Sequence, residues 1–113
     1  MEKLTLVVDG RVAAQVERAR TLAERSRGLL GRDGVESGLV IEPASSLHTF
    51  GMRFAIDVAF VRRDGTVSAV VHMPRQRLGL WRPRTRWVVE TEPGRLEEWG
   101  VRRGSRLQLR PLV

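Results

Sequence analysis

Phe54 to His72, FAIDVAFVRRDGTVSAVVH, contains two apolar runs separated by Arg62-Arg63-Asp64-Gly65. An Asp-Gly pair between β-rich runs is a tight-turn signal, because glycine takes up the positive φ that such turns need. The stretch therefore predicts a β-hairpin, Val58 to Val61 leading into Val67 to His72. In an extended chain, side chains alternate between faces. Phe54, Ile56, Val58 and Phe60 then share one face, and Ala55, Asp57, Ala59 and Val61 share the other. Asp57 is thus placed on the small-residue face of an apolar strand, where a charge needs compensation.

Working outward, the same grammar recurs. Leu4 to Val8 leads through Asp9-Gly10 into Val12 to Val16, a second predicted hairpin. Gly38 to Glu42, Trp87 to Glu90 and Ser105 to Leu109 read as further short strands, the last with Leu107 and Leu109 alternating against Arg106, Gln108 and Arg110. Thr21 with Glu24 forms a capping-box pattern ahead of a short helix that includes Gly28, with Leu22, Leu29 and Leu30 on one face and Gly31 and Gly34 as stops. Pro93 to Trp99, ended by Gly100, predicts a second helix of one or two turns. About seven short strands and one or two short helices define a mainly β chain at the α+β border. The expected architecture is a compact antiparallel β sandwich or barrel. Residues 1–113 are expected to form one domain, since 113 residues leave no room for a second among them.

No apolar run approaches the length of a bilayer span, and the apolar part of MEKLTLVVDGR is too short for a secretory signal. A cytoplasmic protein without membrane association is expected. The absence of cysteine removes disulfides, thiolate metal sites and cysteine nucleophiles. The net charge of +7 is unevenly placed. Met1 to His72 carries only +1, Met73 to Trp87 carries +5 with no acid, Val88 to Gly100 carries −3, and Val101 to Val113 carries +4. Lys3 is the only lysine, a bias that base composition alone can produce, so arginine abundance by itself points to no ligand.

Two readings of Asp57 follow. It either ties helix to sheet through Arg25, Arg27, Arg32 or Arg53, or it belongs to a polar pocket with His48, Thr49 and Glu90. Asp57 and His48 are the candidate catalytic residues. Arg25, Arg27, Arg32, His48, Thr49, Asp57 and Glu90 are the pocket candidates. No HxH, HExxH or Asp-rich spacing supports a metal, and none is expected; nor is a cofactor, since no phosphate-cradling glycine loop is present. Ser45, Ser46 and Thr49 lack a nucleophile elbow. Trp81 lies among Arg75, Arg77, Arg82, Arg84 and Arg86, an interleaving suited to stacking bases and neutralising phosphates, or to meeting an acidic protein. The bland alternative folds those arginines back on Glu90, Glu92, Glu97 and Glu98. Trp87 and Trp99, on periodic apolar faces, are expected to be core anchors.

Three blocks, Arg25 to Arg32, Ile56 to Gly65 and Val89 to Gly94, stand in an order that resembles the uncharacterised bacterial and archaeal domain-of-unknown-function family 192. The resemblance covers nearly the whole chain. It implies a compact β-rich domain and no reaction. Where the family commonly has Trp-Met-Lys-Asn-Thr before the Asp block, this chain has His48 to Met52, HTFGM, and its late Gly-Asp is replaced by Gly104-Ser105.

The expected function is a small non-enzymatic binding or interaction module, acting through a pocket around Asp57, through the Arg-rich segment 74–86, or both. One alternative is a hydrolase or isomerase using Asp57 or His48 as acid or base. Another is a nucleic-acid binder through Arg75 to Arg86. A small molecule, an acidic protein or a nucleic acid is the expected partner, and the chain is expected to be a monomer or weak oligomer.

Overall fold

The computed structural model describes Met1 to Leu112. Seven strands are present: β1 (Glu2–Val8), β2 (Arg11–Ala19), β3 (Gly38–Ile41), β4 (Ile56–Arg62), β5 (Val67–Met73), β6 (Thr85–Thr91) and β7 (Leu107–Pro111). Two short helices join them, α1 (Leu22–Arg27) and α2 (Arg95–Glu98). They form one sheet in the order β5-β4-β6-β3-β2-β1-β7.

Turn chemistry sets both hairpins. Asp9 and Gly10 have φ of +48° and +83°, so a two-residue turn joins Val8 to its partner Arg11. Gly65 has φ +91°, and a Cβ there would lie 2.5 Å from the Leu107 carbonyl oxygen, which leaves glycine as the residue that fits. The Asp64 carboxylate accepts the Thr66 amide at 2.9 Å and is held below the usual carboxylate range by that bond.

The antiparallel expectation needs one correction, because β2 and β3 run parallel. Residues 20–37, α1 included, carry the chain back along β2 so that Leu39 to Ile41 pair in parallel with Glu17 to Ala19, the crossover that parallel neighbours require. The sheet is not closed into a barrel. Its ends nevertheless touch where Thr66 bridges Arg106, supported by Val67 N–H to the Ser105 carbonyl and Leu107 N–H to the Gly65 carbonyl, both 2.8 Å.

Two cores result. One face carries Leu6, Val16, Val40, Val61, Val89 and Leu107, closed by Leu96 of α2. The other carries Leu39, Ile56, Val58, Phe60 and Val88, covered by Leu29, Val35 and Met52 from the connections. Trp87 is buried in the first core, and Trp99 packs against it as expected. Arg95 of α2 holds the connection into β3 by donating to the carbonyls of Val35, Glu36 and Ser37 at 3.0, 2.8 and 3.2 Å.

Helix α1 stops short of the expected span, so Leu22, Leu29 and Leu30 do not share one helical face. Its capping box is complete, with Thr21 and Glu24 satisfying each other's backbone amides. Gly28, at φ +47°, ends it after six residues, and no residue of α1 is buried. Leu29 reaches the core from beyond the helix, whereas Leu22 is left exposed.

Candidate functional site

The alternation along β4 holds, and it separates the two acids proposed to share a pocket. Asp57 lies on the face of Ala59 and Val61. Glu90 lies on the face of Val88, between its register partners Leu39 of β3 and Val58 of β4.

Among the described residues no arginine ties down Asp57. Its Oδ1 is 2.9 Å from Nδ1 of His72, the residue opposite on β5, and its Oδ2 accepts the Gly94 amide at 2.8 Å. Gly94 precedes α2, so Asp57 links β4, β5 and the entry to α2. The arginines proposed for it go elsewhere. Arg32 approaches Glu17 at 3.9 Å, Arg53 donates to Asp33 at 2.8 Å, and Arg25 donates to the Pro43 carbonyl at 3.3 Å. The acid is compensated by a histidine and an amide because the hairpin register and α2, rather than α1, deliver its neighbours.

On the opposite face a cleft of about 630 Å³ opens between α1 with its following turn and residues 43–48. Leu29, Leu30, Ile41, Met52 and Val88 supply apolar walls, and Ser26, Ser45 and Ser46 add hydroxyls. Arg25, Arg27, Arg86 and His48 also line it. Glu90 reaches it from β6 although the residue is only 4% exposed. Among the described residues no group donates a hydrogen bond to the Glu90 carboxyl and no cation lies within 4 Å of it. Burial alone therefore acts on it and raises its pKa from 4.5 to about 7. In the cleft wall, Nε of Arg25 is buried with no acceptor. The site thus offers an unpartnered carboxyl at the floor and an unpartnered donor in the wall.

Of the pocket candidates, Arg25, Arg27, His48 and Glu90 line this cleft, while Arg32, Thr49 and Asp57 do not. Thr49 is fully buried and holds backbone instead. Its Oγ1 donates to the Pro74 carbonyl at 2.6 Å and accepts the Arg77 amide at 2.9 Å. His48 Nδ1 accepts the Phe50 amide at 3.2 Å, and the two rings stack at 5.3 Å.

The arginine-rich segment is an ordered strap. It runs antiparallel to residues 45–49, with His48 paired to Leu78. Gly79 N–H donates to the Leu47 carbonyl and Arg82 N–H to the Ser45 carbonyl, both at 2.9 Å. Arg75, Arg77, Trp81 and Arg84 are exposed on it. Arg82 is not, since its guanidinium lies 4.7 Å above the Phe60 ring. Arg86 faces the cleft and approaches Glu42 at 3.9 Å. None of these arginines folds back on Glu90, Glu92, Glu97 or Glu98; among the described residues Glu92 pairs with Arg95 at 3.6 Å.

Sequence reasoning missed the Asp57–His72 pair, because a register shift between Phe60 and Val61 sets the two residues opposite each other and counting outward from the turn does not include it. It also passed over Arg86 and the serines as cleft residues, because no local pattern joins β6, α1 and residues 43–48.

No curated protein matches the chain. Solved structures share the fold, two of them as follows. One is a Sinorhizobium meliloti 1021 protein described as a "putative transcription regulator", with 22% identity, a TM-score of 0.76, and coverage of 96% of this chain and 92% of that one. The other is a protein of unknown function from Novosphingobium aromaticivorans DSM 12444, also 22% identical, with a TM-score of 0.73 and coverage of 94% and 83%. Residues 4–109 match the family model DUF192, an uncharacterized ACR, so the chain belongs to that domain family.

Proposed function

We propose that this protein is a binding module for a small polar organic ligand held in the cleft over Glu90. The observation that carries the reading is a buried carboxyl without a partner at the floor of an open cleft with arginine in its walls. A buried charge is tolerated when something compensates it. Here the compensating group has to come from the ligand, as an ammonium or another strong hydrogen-bond donor. Arg25, Arg27 and Arg86 in turn suit an anionic group at the ligand's other end. A zwitterion of the amino-acid or short-peptide class meets both demands, and the cleft volume lies within the range of small-molecule sites.

Amide chemical-shift mapping with a panel of such zwitterions, at pH 6 and pH 8, tests the reading. The expected shifts gather at α1, residues 43–48 and Glu90, and affinity rises with pH as Glu90 ionises. Affinity unchanged in Glu90→Gln would remove Glu90 from the site. A second reading, acid/base catalysis, is favoured by one observation: a carboxyl near pKa 7 exchanges protons readily at neutral pH. It moves the chemistry from Asp57 and His48 to Glu90, and turnover of a bound ligand that Glu90→Gln abolishes would establish it.

A further inference from the structure

The strap carries an anomaly that the cleft does not use. Leu78, Leu80 and Trp81 are 74%, 74% and 71% exposed, three large apolar side chains within four residues of a hydrogen-bonded segment. They line neither the Glu90 cleft nor the cleft beside Val101, so neither of these takes them up. Arg75, Arg77 and Arg84 surround them in sequence and are exposed. Among the described residues none of these three lies within 4 Å of an acid, and no acidic residue occurs from Gly65 to Val89.

We propose that the strap docks this protein peripherally on an anionic phospholipid surface, with Leu78, Leu80 and Trp81 entering the interface and Arg75, Arg77 and Arg84 meeting lipid phosphates. Each half of the composition has its counterpart there. Leucine and tryptophan gain by leaving water at the headgroup boundary, and arginine extends its apolar stem while keeping its charge at the phosphates. A fluid bilayer accepts exposed apolar side chains without a preformed pocket. Single-stranded nucleic acid would use Trp81 and the arginines but would leave Leu78 and Leu80 in water. The expectation of no membrane contact rested on the absence of a spanning segment, and no helix here is long and apolar enough to cross a bilayer. A peripheral contact needs no such helix. The held backbone adds to the case, because an ordered strap loses little chain entropy on docking.

Cosedimentation of the whole protein with vesicles of phosphatidylcholine alone, and of phosphatidylcholine with phosphatidylglycerol, provides the test at low and physiological salt. Binding to the anionic vesicles only, weakened by salt, is expected. Arg75→Ala with Arg77→Ala lowers the partition coefficient by roughly thirtyfold at low salt, at about fivefold per arginine. Leu80→Ser with Trp81→Ser lowers it by at least about tenfold. All four side chains are exposed, and an unchanged amide spectrum verifies that each variant is folded. Equal binding to both vesicle types, no binding to either, or full binding by the Leu80→Ser, Trp81→Ser variant would overturn the proposal. So would selective binding of a single-stranded oligonucleotide that needs the arginines and Trp81 but not Leu80, in a protein that ignores anionic vesicles.

Discussion

Asp57 and Glu90 sit on neighbouring strands, one residue out of register, and meet opposite fates. Asp57 retains partial exposure and has two partners, His72 and the Gly94 amide. Glu90 is more deeply buried and has none. An acid with its hydrogen bonds satisfied is part of the scaffold, because those bonds are consumed in joining elements. A buried acid without partners costs stability whenever it is charged, and it persists where a cleft gives it something to meet. The acid that stands out in the sequence is the structural one; the functional candidate ends an ordinary strand.

Titration of Glu90 sharpens the contrast most. Its pKa is about 7 in the folded chain against 4.5 for the ordinary group, so the folded state retains a proton that the unfolded state releases. Stability is then full below pH 4.5, falls as pH rises toward 7, and levels off above, a loss of about 3 kcal/mol. Urea unfolding across pH 4 to 8 should show this fall, and Glu90→Gln should flatten it. A Glu90→Gln protein that keeps the same slope would place the pH dependence elsewhere.

Asp57→Ala comes next. Losing the Gly94 and His72 bonds together should destabilise by about 2 kcal/mol in the same unfolding experiment, without altering ligand shifts in the cleft. Cleft binding lost in a folded Asp57→Ala protein would erase the distinction between the two faces. Thr21→Ala removes half of the capping box that orders the α1 wall, at a cost of about 1 kcal/mol. It should weaken ligand binding as the wall loosens, while leaving the Asp57 side undisturbed in amide exchange. His72→Ala is the smallest change, below about 1 kcal/mol, since His72 is largely exposed and Asp57 retains Gly94.

Much of the fold was legible because its signals are local. The Asp9-Gly10 and Asp64-Gly65 turns, the period-two alternation of Phe54 to Val61 and the Thr21 to Glu24 cap each rest on residues within a few positions of one another. The misreadings were not local. Leu22 shares a face with Leu29 and Leu30 only in a helix that continues past Gly28, and the parallel β2–β3 pair depends on how residues 20–37 cross the sheet. Arg82 reads as a free cation in a basic run, yet Phe60, distant in sequence, takes up its guanidinium.

The candidate site divides the same way. His48, Arg25, Arg27 and Glu90 were identified from residue type, and the cleft contains them; Asp57, Thr49 and Arg32 were grouped with them and the fold sends them elsewhere. By itself the sequence determined most strand positions, the turn geometry and the alternation that sets Asp57 with Ala59 and Val61, since backbone sterics and side-chain alternation are settled within a few residues. Only the tertiary structure decided which face would be covered by α1 and residues 43–48, and therefore which carboxyl would find partners and which would face a cleft. Desolvation and hydrogen bonding depend on neighbours brought together across the whole chain, and no short stretch of sequence encodes them.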